Sequence, residues 1–344
     1  MAGADGISEM TRQWVRILES RIGRDVGSLD VWSLDDEPLT AQSPTTTFRT
    51  ARGSRGRFVS YSCLDGFGSS ANTLVVVMHL QLLPVALPLV WRGARLVPVL
   101  MGIEAWVPLS SLVMTMLRQS WKVAAISNHT VARFRAANPS ADDVRVSVCR
   151  PGVPTLPAPA NRGREDEFAL IVGRMCSRER YKGHDALIEA WPLVRSVVTG
   201  ARLVIAGDGD DASRLRAKAG EGIEFTGGVD ESRLAALYRD AAFFVMPSTD
   251  EGLGLVYLEA MRASTPCIAA HGAAEEIITD GCDGLIVDAD DRDALVAAIV
   301  RLFVDREGRR RLGIAAARRV ECEFGQAALE RRICAVLELG DGRC

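Results

Sequence analysis

The sequence lacks the cysteine spacings that mark a zinc site or a disulfide framework. Eight cysteines are scattered along 344 residues without a Cys-x-x-Cys pair or a His/Cys cluster, so we expect reduced thiols in a cytoplasmic protein. The first residues also lack the basic segment followed by an apolar one that a secretory signal peptide requires. Both absences predict a cytoplasmic location.

The sequence also lacks an uninterrupted apolar run long enough to suggest a membrane span. The best candidate, residues 74–91, predicts a buried strand over 74–78 followed by a turn and a packed helix. The residues that interrupt the run are His79, Gln81, Pro84 and Pro88.

Neither charge nor composition departs far from that of a soluble globular protein. The formal net charge is −3, with 48% hydrophobic and 25% charged residues, which argues against disorder. The length allows two domains of ordinary size, each with its own core.

The charge is nevertheless uneven along the chain. Residues 1–150 carry 16 Lys+Arg and 12 Asp+Glu, a net of +4, which leaves 25 and 32, a net of −7, for the rest. The first half is therefore the expected contact for an acidic acceptor or for anionic lipid. A solvated loop with a charged helix start is the alternative interpretation of its most basic segment, which contains Arg49, Arg52, Arg55 and Arg57.

Strand and helix patterns alternate along the chain, which predicts α/β domains with parallel sheets built from βαβ units. Residues 151–166 contain four prolines and predict a linker between two such domains. The first helix has apolar residues at helical spacing around Met10 and Trp14, with Ser8 as its predicted cap. Strands are predicted over 29–34, 74–78, 95–100, 122–126, 168–172, 202–206, 223–226, 241–246 and 266–270.

The most informative segment follows the strand predicted over 241–246. Gly252 and Gly254 allow a sharp turn there, and a helix is predicted from Leu255. Backbone N–H groups at the start of such a helix can hold an anion.

Glu251 and Glu259 lie eight residues apart in this segment. One is expected at the mouth of the turn and the other about two helical turns further on. Two such acceptors suit a polyhydroxylated ligand that also carries phosphate. The alternative is that Glu251 caps the helix and that Glu259 is a solvated residue on its face.

Two other patterns suggest different chemistry and are rejected. Residues 206–210 superficially resemble a dinucleotide fingerprint, but the third glycine and the acidic residue after a following strand are absent. A dehydrogenase is therefore disfavoured. The pairs Asp208/Asp210 and Asp288/Asp290 are interpreted as loop carboxylates and not as metal ligands.

The Glu-x7-Glu segment resembles that of glycosyltransferase family 4, whose members are retaining enzymes of the GT-B fold. Residues 170–175 and 179–185 resemble the family's strand, loop and helix that carry the cations for the donor phosphates. The resemblance implies GT-B architecture: an acceptor-side Rossmann-like domain over 1–150, a nucleotide-sugar domain over 167–324, a cleft between them, and a last helix over 325–344 packed back on the first domain.

The resemblance also assigns the donor side. Arg174 and Lys182 would stabilise the leaving phosphates without proton transfer, although a surface ion pair is the alternative. Glu251 would contact hydroxyls of the donor sugar and Glu259 the ribose. Other residues implied to bind the donor are Gly6, Gly173, Val229, Gly252, Leu253, Gly254 and Leu255.

In the first half, His79 resembles a cleft histidine near the donor sugar and is counted with the catalytic residues, with a structural histidine as the alternative. Gly102 and Glu104 resemble the family's His-Gly-Ile-Glu turn, although Met101 replaces its histidine. Ser127 resembles a serine that faces the acceptor, and capping of the next helix is an equally good account.

One departure concerns the start. In the family a buried strand precedes the first helix and leads into a Gly-Gly loop, whereas here only residues 5–7 resemble the end of that loop. The first strand is therefore expected to lie upstream or to be missing.

The resemblance implies a retaining, metal-independent hexosyltransferase with no cofactor, which uses a UDP- or GDP-linked sugar in polysaccharide or lipid-linked glycan assembly. Expected partners are the nucleotide sugar, a glycan or lipid-linked acceptor and an anionic membrane surface, with no nucleic acid. Two alternatives stay open: a GT-B sugar-nucleotide epimerase, and a non-catalytic protein that binds sugar nucleotides.

Overall fold

The computed structural model describes residues 6–35, 44–65, 70–153 and 168–340. These residues form two compact units, one of residues 6–152 with 326–340 and the other of residues 153–325. The predicted linker lies largely outside the described residues, so the predicted domain limits stay a prediction.

The first unit contains two parallel sheets. Strands β1 (Leu29–Ser33) and β2 (Thr46–Thr50) pair with each other, and a second sheet has the order β3, β4, β5, β6. Among the described residues, β1 and β3 each pair on one side only. The second sheet comprises β3 (Leu74–Val77), β4 (Arg95–Leu100), β5 (Val123–Ala125) and β6 (Val146–Val148).

Helices surround these strands. The α-helices are α1 (Gly6–Ser20), α2 (Arg55–Asp65), α3 (Leu87–Trp91), α4 (Ser111–Gln119) and α5 (Asn128–Ala137), and 3-10 helices span Leu80–Ala86, Ile103–Ala105 and Pro139–Ala141.

Apolar side chains from the strands and helices pack into a common core, which includes Leu83, Leu100, Leu117 and Phe134. A buried side chain also ties α1 to the end of the β6 segment. The Gln13 amide donates to the Gly152 carbonyl at 3.1 Å and accepts from the Gly152 N–H at 3.0 Å.

The second unit contains one six-stranded parallel sheet in the order β12, β11, β10, β7, β8, β9. Strands β7, β10 and β11 are almost wholly buried because the sheet is covered on both faces. The strands are β7 (Phe168–Val172), β8 (Arg202–Ala206), β9 (Ile223–Gly227), β10 (Phe243–Met246), β11 (Cys267–Ala270) and β12 (Gly284–Val287).

The helices of this unit are α6 (His184–Val197), α7 (Ala212–Lys218), α8 (Glu231–Asp240), α9 (Leu255–Arg262), α10 (Arg292–Val304) and α11 (Arg306–Phe324), with 3-10 helices at Arg180–Lys182 and Ala273–Glu276.

After α11 the chain returns to the first unit. Helix α12 (Gln326–Leu337) belongs to that unit by its contacts. The Arg21 guanidinium lies 3.5 Å from the Glu330 carboxylate, and the Arg332 guanidinium donates to the Arg150 carbonyl at 3.4 Å.

The predicted α/β class with parallel sheets is confirmed, and three strands were not predicted: β2, β6 and β12. Ser8 is not at the N-cap position of α1, since the helix begins two residues earlier at Gly6. The strand predicted over 74–78 ends at Val77, and its first three residues are only half-buried.

Candidate active site

Most of the predicted donor residues of the second unit lie in loops at one edge of its sheet, and Leu255 and Glu259 lie in α9. From β7 the chain continues to β8 and β9 on one side, and β10 then lies on the other side of β7. Loops at such a reversal point leave a crevice at the carboxyl ends of the strands, where ligands of α/β proteins bind. Gly173 and Arg174 follow β7, and Glu251 follows β10.

Four side chains from these two loops form a chain of ion pairs. The Arg174 guanidinium lies 2.5 Å from one Glu179 oxygen, and the Lys182 ammonium lies 3.8 Å from the other. The same ammonium donates to the Glu251 carboxylate at 3.1 Å. We call Arg174, Glu179, Lys182 and Glu251 the ion-pair chain, and it joins the β7 loop to the β10 loop.

The members of the ion-pair chain differ in exposure. The side chains of Lys182 and Glu251 are 15% and 17% exposed, whereas that of Arg174 is 51% exposed. An isolated surface ion pair therefore does not describe Lys182 and Glu251. Ser248 adds a further contact, since its hydroxyl donates to the Glu251 carboxylate at 3.2 Å.

Backbone contacts fix the same two loops. The Thr249 N–H donates to the Tyr181 carbonyl at 3.1 Å. Gly183 has φ of +85°, and a Cβ there would lie 2.7 Å from the ring of Pro247, so only glycine allows this approach. The position of Lys182 beside the β10 loop thus depends on its neighbour Gly183.

The predicted turn before α9 is present. Gly254 has φ of +90° at the start of the helix, and no side chain caps the helix there. Glu251 is therefore not a cap of α9, contrary to the alternative considered for it. Gly252 and Leu253 lie in the turn, and Leu255 is the first residue of α9. Amides at such a helix start suit an anionic ligand.

Glu259 lies within α9 and is held by a residue that sequence reasoning missed. The Tyr238 hydroxyl donates to the Glu259 carboxylate at 2.7 Å. Tyr238 is buried, its pKa is raised well above the ordinary value by burial and then by Glu259, and its ring contacts Phe244 at 5.9 Å between centroids. Glu259 is therefore not a solvated residue on the helix face.

His184 is a second residue without a predicted role. It opens α6 directly after Gly183 and is 3% exposed. Its Nε2 atom has no hydrogen-bond partner among the described residues. Burial, followed by the nearby Lys182 charge, lowers its pKa to about 4. The imidazole is therefore neutral near pH 7.

The Asp-x-Asp pairs make local contacts in their loops. Asp210 accepts from the Ser177 N–H at 2.8 Å and from the Ser177 hydroxyl at 2.7 Å, while Asp208 accepts from the Gly209 N–H at 2.8 Å. Asp288 accepts from the Asp290 N–H at 3.0 Å. In the described ranges no three His, Cys, Asp or Glu residues are grouped as metal ligands would be.

Val229 lies in the loop after β9 and is half-buried. The next residue, Asp230, caps α8 by accepting from the Arg233 N–H at 2.7 Å. The strand and helix ends thus fix the backbone on both sides of Val229. Its role towards the nucleotide base stays a prediction.

In the first unit, His79, Glu104 and Ser127 follow successive strands of one parallel sheet, and each makes a local contact. His79 Nδ1 accepts from the Gln81 N–H at 3.1 Å after β3. Glu104 accepts from the Met101 N–H at 2.6 Å after β4. Ser127, which is fully buried, accepts from the Thr130 N–H at 2.9 Å and so caps α5 after β5. Gly6 is the first residue of α1, and Gly102 precedes the 3-10 helix at Ile103–Ala105.

Comparison with known proteins shows what part of this chain resembles. The family profile described as "Glycosyl transferases group 1" matches residues 167–305. The chain is also 34% identical over 210 residues to the GDP-mannose-dependent alpha-(1-6)-phosphatidylinositol monomannoside mannosyltransferase of Mycobacterium tuberculosis. Residues 167–305 thus resemble the group 1 glycosyltransferases.

The sequence matches of this chain are partial. The Mycobacterium tuberculosis alignment covers 54% of this chain and 53% of that protein. A GDP-mannose-dependent monoacylated alpha-(1-6)-phosphatidylinositol monomannoside mannosyltransferase of Corynebacterium glutamicum is 30% identical over 62% of this chain and 61% of its own length. The chain thus spans about half to three fifths of the length of these curated relatives.

Solved structures match over nearly the whole chain. The sucrose-phosphate synthase of Thermosynechococcus elongatus gives a TM-score of 0.76 at 21% identity, covering 97% of this chain and 93% of that one. The Anabaena protein HepE, solved with UDP and glucose, gives 0.73 at 17% identity, with 98% and 97% covered. At these identities the likeness shows the fold, which is GT-B as the resemblance implied.

Helix lengths bear on membrane insertion. Within residues 6–35, 44–65, 70–153 and 168–340, no helix combines the length and apolar character needed to cross a bilayer.

Proposed function

We propose that this protein is a group 1 glycosyltransferase that transfers a hexose from a nucleotide-diphosphate sugar to an acceptor hydroxyl, with retention at the anomeric carbon. The observation that carries the proposal is the ion-pair chain at the β7 and β10 strand ends, next to the uncapped start of α9. Cations and helix amides at one place suit a diphosphate leaving group.

The donor diphosphate would contact Lys182, Arg174 and the first amides of α9. In the described structure both cations pair with carboxylates, Lys182 with Glu251 and Arg174 with Glu179. Arriving phosphate oxygens would share the Lys182 ammonium with Glu251. Negative charge that develops on the leaving phosphate is then stabilised by groups that are already in place, without a metal ion.

Glu251 and Glu259 would bind hydroxyls of the donor, the first on the sugar and the second on the ribose. Glu251 is held by Lys182 and Ser248, and Glu259 by Tyr238. A carboxylate that is fixed in this way loses little conformational freedom when a hydroxyl donates to it. This pre-organisation supports donor binding in the ground state as well as in the transition state.

For the transfer step we propose a front-face route. The bond between the anomeric carbon and the β-phosphate oxygen breaks, the acceptor oxygen bonds to the same face, and its proton passes to the departing phosphate. No protein nucleophile is needed, which accords with the prediction from sequence that none stands out. A trapped covalent glycosyl-enzyme would refute this route.

For the substrates we propose GDP-mannose and a lipid-linked acceptor as the first pair to test. The support comes from the mycobacterial and corynebacterial relatives, whose names specify GDP-mannose and a phosphatidylinositol monomannoside. The proposal extends to action in the cytoplasm at a membrane surface, which the net +4 charge of residues 1–150 favours. UDP-sugars are the competing donors.

The test is a nucleotide-release assay with purified protein, GDP-mannose and a panel of UDP-sugars, with and without extracted lipid-linked acceptors. We expect release from one donor that depends on acceptor, persists in EDTA and yields the α-anomer by NMR. Acceptor-independent turnover of the donor to a different sugar nucleotide would instead identify an epimerase. Donor binding without turnover under every condition would contradict the proposed activity.

A further inference from the structure

Lys182 lies in a short segment that has little stability of its own. The 3-10 helix Arg180–Lys182 is a single turn, and α6 begins two residues later without a side-chain cap. A 3-10 turn has poor hydrogen-bond geometry, so its position depends on contacts with the rest of the fold. The β10 loop provides such contacts from one side, at Tyr181 and Gly183. The region between β8 and the end of α7 provides the others.

One arginine on α7 bridges two carboxylates. The Arg214 guanidinium donates to both Asp185 oxygens, at 2.7 and 2.6 Å, and to both Asp211 oxygens, at 2.7 and 2.5 Å. Arg180 donates to the same Asp211 oxygens at 3.2 and 3.3 Å. Contacts to two oxygens at once fix the orientation of a side chain as well as its distance. We call Arg180, Asp185, Asp211 and Arg214 the arginine clamp.

The arginine clamp holds the chain on both sides of Lys182. Arg180 lies two residues before Lys182, and Asp185 lies three residues after it. Arg214 joins these two attachment points, because it contacts Asp185 directly and is linked to Arg180 through Asp211. Loss of Arg214 alone would therefore separate the two points and leave the segment held from one side.

The arginine clamp is also fixed to the β7 loop. The Asp211 N–H donates to the carbonyl of Met175, which follows Arg174 directly, at 2.9 Å. The Asp211 side chain is only 7% exposed, and the hydrogen bonds from Arg214, followed by those from Arg180, lower its pKa to about 2 despite burial. A buried carboxylate that stays ionised is costly unless its cations remain in place. The clamp therefore resists rearrangement.

We propose that Arg214, acting through Asp211 and Asp185, is a positioning residue that holds the Lys182 ammonium where the donor diphosphate binds. The inference rests on the proposed function for the identity of the ligand, but the holding of Lys182 needs neither donor nor acceptor. Misplacement of a catalytic group by about 1 Å can cost about 100-fold in rate. An ordinary ion pair between α6 and α7 would instead affect stability alone.

The first test is amide hydrogen exchange of the full chain without ligand. In Arg214→Met the amides of residues 180–185 should exchange about tenfold faster or more, because local opening becomes easier. Arg214→Lys keeps the charge but not the bridge, so it should give intermediate rates, and it is the second variant if Arg214→Met does not fold. Unchanged exchange of residues 180–185 in both variants would overturn the proposal.

The matched control is Arg202→Met. Arg202 pairs with both Glu224 oxygens, at 2.9 and 3.1 Å, at the amino end of β8 and so away from the donor loops. This variant removes a guanidinium from an equally two-pronged ion pair of the same unit. It should leave the exchange of residues 180–185 unchanged, and an equal acceleration in Arg202→Met would refute a specific role for Arg214.

The second test is whether Arg214 acts through Lys182. Calorimetry measures the binding of GDP and UDP to Arg214→Met, to Lys182→Met and to the double variant. We expect Arg214→Met to weaken nucleotide binding about tenfold in the native background and to have little further effect in the Lys182→Met background. Equal effects in the two backgrounds would show a merely structural role and overturn the proposal.

The two tests also separate this inference from the proposed function. Faster exchange with weaker, non-additive nucleotide binding, in a protein without transfer activity, would uphold the arginine clamp and contradict the proposed function. Transfer activity in a protein whose Arg214→Met variant exchanges and binds normally would do the reverse. Binding of neither nucleotide by the native protein would contradict the proposed function, and the exchange rates would still decide whether the clamp holds Lys182.

Discussion

Replacing Lys182 with methionine removes the charge and keeps most of the side-chain volume. In the structure the ammonium lies 3.1 Å from Glu251 and 3.8 Å from Glu179. The variant leaves both carboxylates beside the proposed phosphate site without their shared cation. The local charge changes from neutral to negative where a diphosphate should bind.

The substitution should have two effects, a loss of kcat and a loss of free energy of unfolding, and each can be given an expected size. Loss of one contact to the developing negative charge typically costs about 3 kcal/mol in the transition state, which is about 150-fold in kcat. At an effective dielectric constant of ~20, a charge pair at this distance is worth about 5 kcal/mol before desolvation is subtracted. Since desolvation cancels much of that, we expect Lys182→Met to lower the free energy of unfolding by only about 1 to 2 kcal/mol.

The assay measures nucleotide release with a saturating acceptor, alongside urea unfolding of each variant. Glu251→Gln combined with Lys182→Met should destabilise less than the sum of the single changes, because the two side chains are in contact. Lys218→Met is the matched control. The Lys218 side chain is 44% exposed, and its ammonium pairs with Asp185 at 2.6 Å. The kcat of Lys218→Met should therefore stay within about twofold of that of the native protein. A folded Lys182→Met protein with more than about a fifth of the native kcat would refute the reasoning.

Three further predictions concern neighbouring residues. Tyr238→Phe should raise the KM for the donor about tenfold with kcat nearly unchanged, because the hydroxyl fixes a carboxylate used equally in both states; a lower kcat at constant KM would contradict this. The pKa of His184 is 6.5 in the unfolded chain and about 4 in the folded protein. The free energy of unfolding should therefore fall by about 3 kcal/mol as the pH is lowered from 6.5 to 4. Urea titrations at these pH values should show a smaller fall in His184→Gln. Gly254→Ala should lower the free energy of unfolding by about 1 to 3 kcal/mol, since its Cβ would lie 2.5 Å from the Tyr257 ring. Gly220→Ala is the control, and it should change the free energy of unfolding little because an added Cβ there would have no atom within 4 Å. Equal effects of the two substitutions would argue against strain at the turn.

Much of the fold could be predicted because a buried parallel strand has a short run of apolar residues in the sequence. Strands β4, β7 and β8 have the predicted limits. Strand β10 begins at Phe243 and not at Ala241, because the Ala241 N–H still bonds to the Leu237 carbonyl at the end of α8. An apolar pattern does not distinguish a helix cap from the first residue of the following strand.

The unpredicted strands have weaker patterns. Strand β2 includes Arg49, in a segment interpreted by its charge, and β6 has only three residues. Strand β12 is a four-residue run that begins at Gly284. Each of these segments forms a strand because it pairs with a neighbouring strand, and such pairing joins parts of the chain that are distant in sequence.

For the candidate site, sequence reasoning selected the residues but not the contacts between them. Lys182 and Glu251 lie 69 residues apart, and they meet because β7 and β10 pair within the sheet. Tyr238 and Glu179 were missed as partners because their roles depend on another residue's position. A tyrosine near the end of α8 has no local signal that it reaches Glu259 on α9.

The most direct test of the account is a crystal structure of the protein with GDP or UDP bound. The account predicts the diphosphate at the carboxyl ends of β7 and β10, with an oxygen within about 3.2 Å of the Lys182 ammonium and another near the Leu255 N–H. A diphosphate bound away from both groups, with the Lys182 to Glu251 contact unchanged, would contradict it.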